Sequence, residues 1–138
     1  MNDETPGEKY HDAESFRRAG HRLVDEIADF YRSLPERPVR RELTLEDVRE
    51  LIGDGGLPDN GTRIESLFET AAPMLFDNSL HNGHPKFFGY ITASAAPLGG
   101  LADLLAASIN ANVALWDLSP VASEIEAQTI RWIAELVG

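Results

Sequence analysis

His81 and His84 stand three residues apart in the run HNGH, with Asp77 close by, and imidazole plus carboxylate is a donor set for a metal site. Gly83 and Pro85 interrupt that run, so it reads as a loop without the helical framework that would hold two imidazoles on one face. No metal is assigned to it. The stretch HPKFFGYITASAAP, residues 84–97, carries a different kind of chemistry. Three aromatics, Phe87, Phe88 and Tyr90, precede an abrupt change to small residues. In an extended segment Tyr90 alternates with Phe88, and Thr92 points the same way two residues on. Buried packing accounts for the two phenylalanines, whereas Tyr90 and Thr92 together would give a pocket an aromatic wall and a polar contact. A third run, NANVALWDLSP (110–120), sets Asn110, Asn112, Trp116 and Asp117 between two helical patterns. These residues are either a helix cap with a tryptophan packing lid or the second lip of a binding site.

Several other chemistries lack the residues they need. Ser94 lies in TASAA, without the glycine flanks of a nucleophile elbow. Gly99-Gly100 is too short to cradle a phosphate. The absence of cysteine removes disulfide frameworks and zinc-thiolate sites, and is compatible with a reducing cytoplasm. A net charge of −11, from 23 acidic against 12 basic residues, gives no footprint for nucleic acid or an anionic membrane. There is no apolar leader after a basic flank and no apolar run of spanning length, so a soluble cytoplasmic protein is expected.

The elements that must position these residues are helical. Phe16, Ala19, Leu23, Val24, Ile27 and Tyr31 recur at helical spacing from a cap at Asp12 to a stop at Pro35. The connector SLPERPVRRE, with a basic cluster at Arg37, Arg40 and Arg41, reads as a linker. Thr44 opens a short helix with Asp47 three residues later, close to a capping box, and Gly53 ends it. Ile64, Leu67, Phe68, Ala71, Met74 and Leu75 form a third stripe across Pro73. Leu98, Leu101, Leu104, Leu105 and Ile109 form a fourth helix in which Asp103 is the one ionisable residue. Ser119-Pro120 caps and starts the last, carrying Val121, Ile125, Trp132, Ile133 and Leu136. The expectation is a mostly α chain of about five helices with extended linkers. The fourth helix has more apolar surface than so small a partner set can cover, which calls for a dimer or for further chain.

Taken together, the segment from His84 to Gly138 resembles the early part of the group II pyridoxal-phosphate-dependent decarboxylases, the family of aromatic L-amino acid, histidine and glutamate decarboxylases. The resemblance rests on the His-Pro-x-Phe-x-Gly-Tyr segment, the LADLLAASIN helix, and Trp116 followed by SPVASEIEAQTIRWIAELVG. SFRRAGHRLVDEIADFY fits the helix with which such enzymes begin, so the likeness runs from Phe16 to Gly138. It implies the N-terminal helical segment of a fold-type I enzyme, a homodimer with intertwined N-terminal helices, and release of carbon dioxide from an L-amino acid. The aromatic neighbours favour an aromatic substrate over glutamate. By similarity, Tyr90, Thr92, Asn112 and Trp116 are substrate-binding positions, although the proline that often precedes the family's threonine is missing here. The two lysines, Lys9 and Lys86, lie in no Asn-x-x-His-Lys setting, so no catalytic or cofactor-binding residue is assigned. Pyridoxal 5'-phosphate is expected in the full-length enzyme and not on this chain alone. The division implied is a frayed 1–11, a helical dimerisation region 12–92, and the first helices of the cofactor-binding large domain at 93–138. The alternative is a non-enzymatic helical dimerisation module without cofactor.

Overall fold

The computed structural model describes residues 12–138, so the expectation for residues 1–11 lies outside it. Five helices follow in order: α1 Ala13–Ser33, α2 Leu45–Ile52, α3 Ile64–Asn78, α4 Pro97–Ile109 and α5 Pro120–Val137. Single 3₁₀ turns sit at Leu34–Glu36 and Trp116–Leu118, and the described residues contain no strand. The contacts divide the chain into two units, the first ending at Ser94 and the second running Ala95–Gly138.

The helix starts of the first unit follow from capping chemistry. Asp12 accepts from the Glu14 and Ser15 amides, each at 3.1 Å, and from the Ser15 hydroxyl at 2.6 Å. Thr44 and Asp47 form a complete capping box: the Asp47 amide donates to Thr44 Oγ1 at 3.1 Å and the Thr44 amide to Asp47 Oδ2 at 2.7 Å. Gly53 closes α2 at φ 83°, its N–H donating to Arg49 O. The Ser15 hydroxyl on Asp12, and the Thr44 amide on Asp47, hold both carboxyls below their ordinary values. A carboxylate depressed in the folded state adds stability above its unfolded value and loses it as pH falls through the folded one. Protection of the Asp47 and Val48 amides against exchange, taken relative to the intrinsic rate at each pH, is therefore expected to fall on acidification below the ordinary carboxylate range, and Asp47→Asn to flatten that dependence. Protection that stays constant with pH in the parent chain would contradict the assignment.

α1 packs on α3. Ala19 on α1 and Ala72 on α3 are the buried apolar residues, small enough for two helices to approach closely. Further along, Phe30 stacks on Phe76 with ring centroids 4.6 Å apart and planes 11° from parallel. Arg18–Glu65 at 3.3 Å and the Arg22–Glu69 pair bridge the exposed flank. Exposed pairs of this kind contribute about 0–1 kcal/mol each, so the aromatic stack and the helix faces hold the unit together. α3 runs through Pro73 without ending.

In the second unit Asn110 stops α4 in the left-handed region, φ 49° and ψ 49°, and its N–H donates to Ala106 O at 2.8 Å. That is the cap, one of the two readings the sequence offers for this run. Ser119 precedes Pro120 at the start of α5, but its side chain makes no capping bond, contrary to expectation. Its ψ of 69° is far from the extended value at which a cap hydroxyl meets the first free amides. The Ser119 carbonyl instead accepts from the Ser123 amide at 3.0 Å. No residue of α4 or α5 is buried, and Leu98, Leu105, Ile109, Trp132 and Leu136 are all exposed. Apolar helices of that kind present faces made to be covered.

Candidate functional site

The site is built from a turn upward. His81 and His84, which the sequence places in a loop with Asp77 nearby, are the buried polar residues of the described chain. Their ring nitrogens face backbone. His81 Nε2 lies 2.8 Å from Phe76 O and Nδ1 3.1 Å from Pro38 O, while the ring meets Phe30 edge-on at 5.3 Å. Phe76 is in the last turn of α3, where carbonyls have no helical donor, so His81 serves as a C-terminal cap. His84 Nε2 lies 2.9 Å from Arg37 O, and His84 Nδ1 accepts from the Lys86 amide at 3.0 Å. Asp77 pairs with Arg37 at 2.7 Å. Each residue of the conceivable metal set thus has a protein partner, and no group of metal-ligating side chains is found among the described residues.

Arg37 belongs to the basic cluster of the linker, and its contacts are internal. Besides Asp77 it donates to the Ser33 hydroxyl at 2.9 Å and lies 5.2 Å over the Phe30 ring. Arg40 meets Glu42 at 3.4 Å, and Arg41 donates to Asn78 at 3.2 Å. The linker is therefore pinned to the end of α3 rather than left to solvent.

From this base the aromatic segment rises. Phe87 N–H donates to His84 O at 2.9 Å, and the Phe87 ring lies so close over Gly89 that a Cβ there would meet it at 3.1 Å. The extended alternation expected of residues 88–92 breaks at Tyr90, which has φ 61°. A non-glycine residue in the left-handed region reverses the chain locally, so the two-residue rule no longer aligns Tyr90 with Thr92. Holding such a conformation costs a β-unbranched aromatic residue roughly 1 kcal/mol or more. The Tyr90 ring stays 80% exposed with its centroid 6.0 Å from that of Phe87; Phe88 and Thr92 are exposed as well.

Tyr90 and Thr92 belong to the first unit, Asn112 and Trp116 to the second. Asn112 Oδ1 accepts from the Ala114 amide at 2.9 Å, a turn that leads into the 3₁₀ turn at Trp116. Trp116 Nε1 donates to Glu124 Oε1 at 3.0 Å, with the indole more than half exposed. The roles of His81, His84, Arg37 and Glu124 were not apparent from the sequence. The one signal for Glu124 is its place in the first turns of α5, eight residues after the tryptophan.

Residues 46–138 match the pyridoxal-dependent decarboxylase conserved domain, and the chain belongs to that family. It is 30% identical over 126 residues to tryptophan decarboxylase 2 of Oryza sativa subsp. japonica, covering 91% of this chain and 25% of that protein. It is 31% identical over 127 residues to phenylacetaldehyde synthase of Petunia hybrida, covering 92% and 25%. The crystal structure of Catharanthus roseus tryptophan decarboxylase in complex with L-tryptophan superimposes with a TM-score of 0.76 at 26% identity. That match spans 90% of this chain and 26% of the other. The chain therefore spans about a quarter of the length of these relatives.

The family implies pyridoxal phosphate. Lys86, the lysine of the described residues, is exposed on the turn after His84, and Asp77, the carboxylate near the histidines, is engaged by Arg37. These residues do not make up a set that holds the cofactor's aldehyde and ring nitrogen, so no chemical step is derived through them.

Proposed function

We infer that the full-length protein is a pyridoxal-phosphate-dependent carboxy-lyase acting on an aromatic L-amino acid, and that this chain supplies a rim of its substrate pocket. The observation that carries the substrate class is the aromatic run Phe87, Phe88 and Tyr90, with Phe88 and Tyr90 exposed, Phe87 half-buried and Tyr90 at φ 61°, beside the single exposed cation Lys86. An apolar wall rewards burial of a ring and leaves a side-chain carboxylate unpaired. Family membership and the printed activities of the relatives support the reaction type.

Within that reading, Tyr90 contributes ring and phenol and Thr92 a hydroxyl at the rim. Asn112 and Trp116 are proposed as further substrate-side positions, the indole oriented by Glu124. Pyridoxal phosphate, held elsewhere in the enzyme, supplies the electron sink for loss of the carboxylate. The residues described here bind and orient the substrate side chain and keep water away from it. We further propose a cytoplasmic homodimer with intertwined N-terminal helices. Support comes from the exposed apolar residues of α1, α3 and α4, from the lack of cysteine, and from the absence among the described residues of a helix able to cross a membrane. No observation favours a cofactor-free dimerisation module.

The test is a substrate panel on the full-length enzyme. L-tryptophan, L-tyrosine and L-phenylalanine are expected to be converted to their amines well ahead of glutamate, histidine and lysine, by a species that sediments as a dimer. Preference for glutamate, or a monomeric active species, would contradict the corresponding part of the reading.

A further inference from the structure

We propose that His84 is a positioning residue for substrate recognition: its ring fixes the place of the Tyr90 turn and so sets which aromatic side chain the rim accepts. The inference rests on the substrate-pocket reading of residues 87–92 given above. A carbonyl only accepts, so the contact with Arg37 O at 2.9 Å places the ring proton on Nε2, which leaves Nδ1 free to accept from the Lys86 amide at 3.0 Å. His84 N–H donates to His81 O at 3.0 Å, and His84 O accepts from Phe87 at 2.9 Å. All four polar groups of this residue are engaged, and it is 3% exposed. The residue it grips is itself held in place, since Arg37 is clamped by Asp77, Ser33 and the face of Phe30.

What hangs from this anchor has little support of its own. Between Phe87 and the start of α4, no backbone amide of the rim donates a hydrogen bond to backbone. The far end returns to the same turn: Ser94 Cβ lies 3.2 Å from where a Cβ on Gly83 would stand, with Leu34 Cδ2 at 3.6 Å. Both ends of the 87–94 segment therefore meet the turn that His84 ties down, and Tyr90 stands between them in a backbone conformation it would not hold unaided. A shift of the turn is passed to the Tyr90 ring through Phe87, 6.0 Å away. An ångström of displacement in a substrate-positioning group costs up to about a hundredfold.

Three variants of the full-length enzyme test this: His84→Ala, which removes both ring bonds; His84→Gln, whose amide can reach Arg37 O; and His84→Asn, which can keep only the Lys86 contact. For the preferred aromatic amino acid, His84→Ala is expected to raise KM about tenfold with kcat changed less than about threefold and the cofactor absorbance unaltered, and His84→Gln to recover most of the loss. His84→Asn should resemble His84→Ala. Exchange of the backbone amides of residues 84 and 87, which are hydrogen-bonded within the turn, should accelerate at least about tenfold in His84→Ala and return towards the parent value in His84→Gln. An unchanged KM with unchanged exchange overturns the proposal. So does an equal fall in thermal stability and kcat in all three variants without a KM change, the mark of a merely structural residue. A parent enzyme that decarboxylates no amino acid overturns the functional reading, and with it the role in substrate choice; amide exchange then still decides whether His84 holds the segment.

Discussion

His81→Ala is expected to destabilise the first unit by about 3 kcal/mol, a large effect for a loop residue. Two losses combine. With the ring proton on Nε2, the nitrogen nearer a carbonyl, the Phe76 carbonyl at the end of α3 loses the donor that no helical amide can replace, and the edge of the imidazole no longer packs against Phe30. A buried acceptor left alone costs about 1–3 kcal/mol, and the cavity left by the ring adds to it. The linker is tied at the same place, since the His81 amide donates to Val39 O at 2.9 Å. Denaturant unfolding of the full-length protein, resolved by exchange over residues 74–82, reads the effect. His81→Phe would restore the ring contact but not the bond, and should recover less than half of the loss. Recovery by phenylalanine to the parent value would show that packing alone holds this turn.

Tyr90→Ala is expected to raise KM for an aromatic amino acid about thirtyfold, which corresponds to removing roughly 2 kcal/mol of ring burial against the substrate. The prediction has three separable parts, because Tyr90 combines an aromatic face, a phenol and a left-handed backbone. Tyr90→Phe keeps the first and third, and should cost only the hydrogen bond of the hydroxyl, about fivefold. Tyr90→Gly relaxes the backbone and removes the ring, so it should match alanine in KM while stabilising the turn relative to it. If glycine and alanine bind substrate as well as the parent, Tyr90 is no part of the rim.

These expectations depend on features the sequence reveals unevenly. Helix positions were legible because their signals are local: Asp12 before the first stripe, the Thr44–Asp47 pair, Gly53, Asn110, and prolines 97 and 120 at first helical positions. The aromatic cluster was legible as composition, and its family likeness as motif. The turn that carries it was not. Nothing in GYIT marks Tyr90 as left-handed, since alternation assumes an extended chain, and the conformation is imposed by the Phe87 ring over Gly89 and by anchors outside the segment. The structural role of the histidines was hidden for a related reason. Their partners, Pro38 and Arg37, lie 43 and 47 residues away, and periodicity reports only near neighbours. Two histidines in a polar loop look available for a ligand, whereas α1 and α3 bring linker carbonyls onto their nitrogens. The Ser119 cap failed through backbone geometry, which residue type does not encode.

The central claim is that these residues form part of an amino acid decarboxylase whose chemical centre lies elsewhere in the full-length chain. Carboxyl-labelled L-tryptophan and L-tyrosine, supplied to the full-length protein loaded with pyridoxal phosphate, test it most directly. One labelled carbon dioxide per amine formed is expected, and none from residues 1–138 alone under the same conditions. Labelled carbon dioxide from the isolated 138 residues, or none from the loaded full-length enzyme with any amino acid, would contradict it.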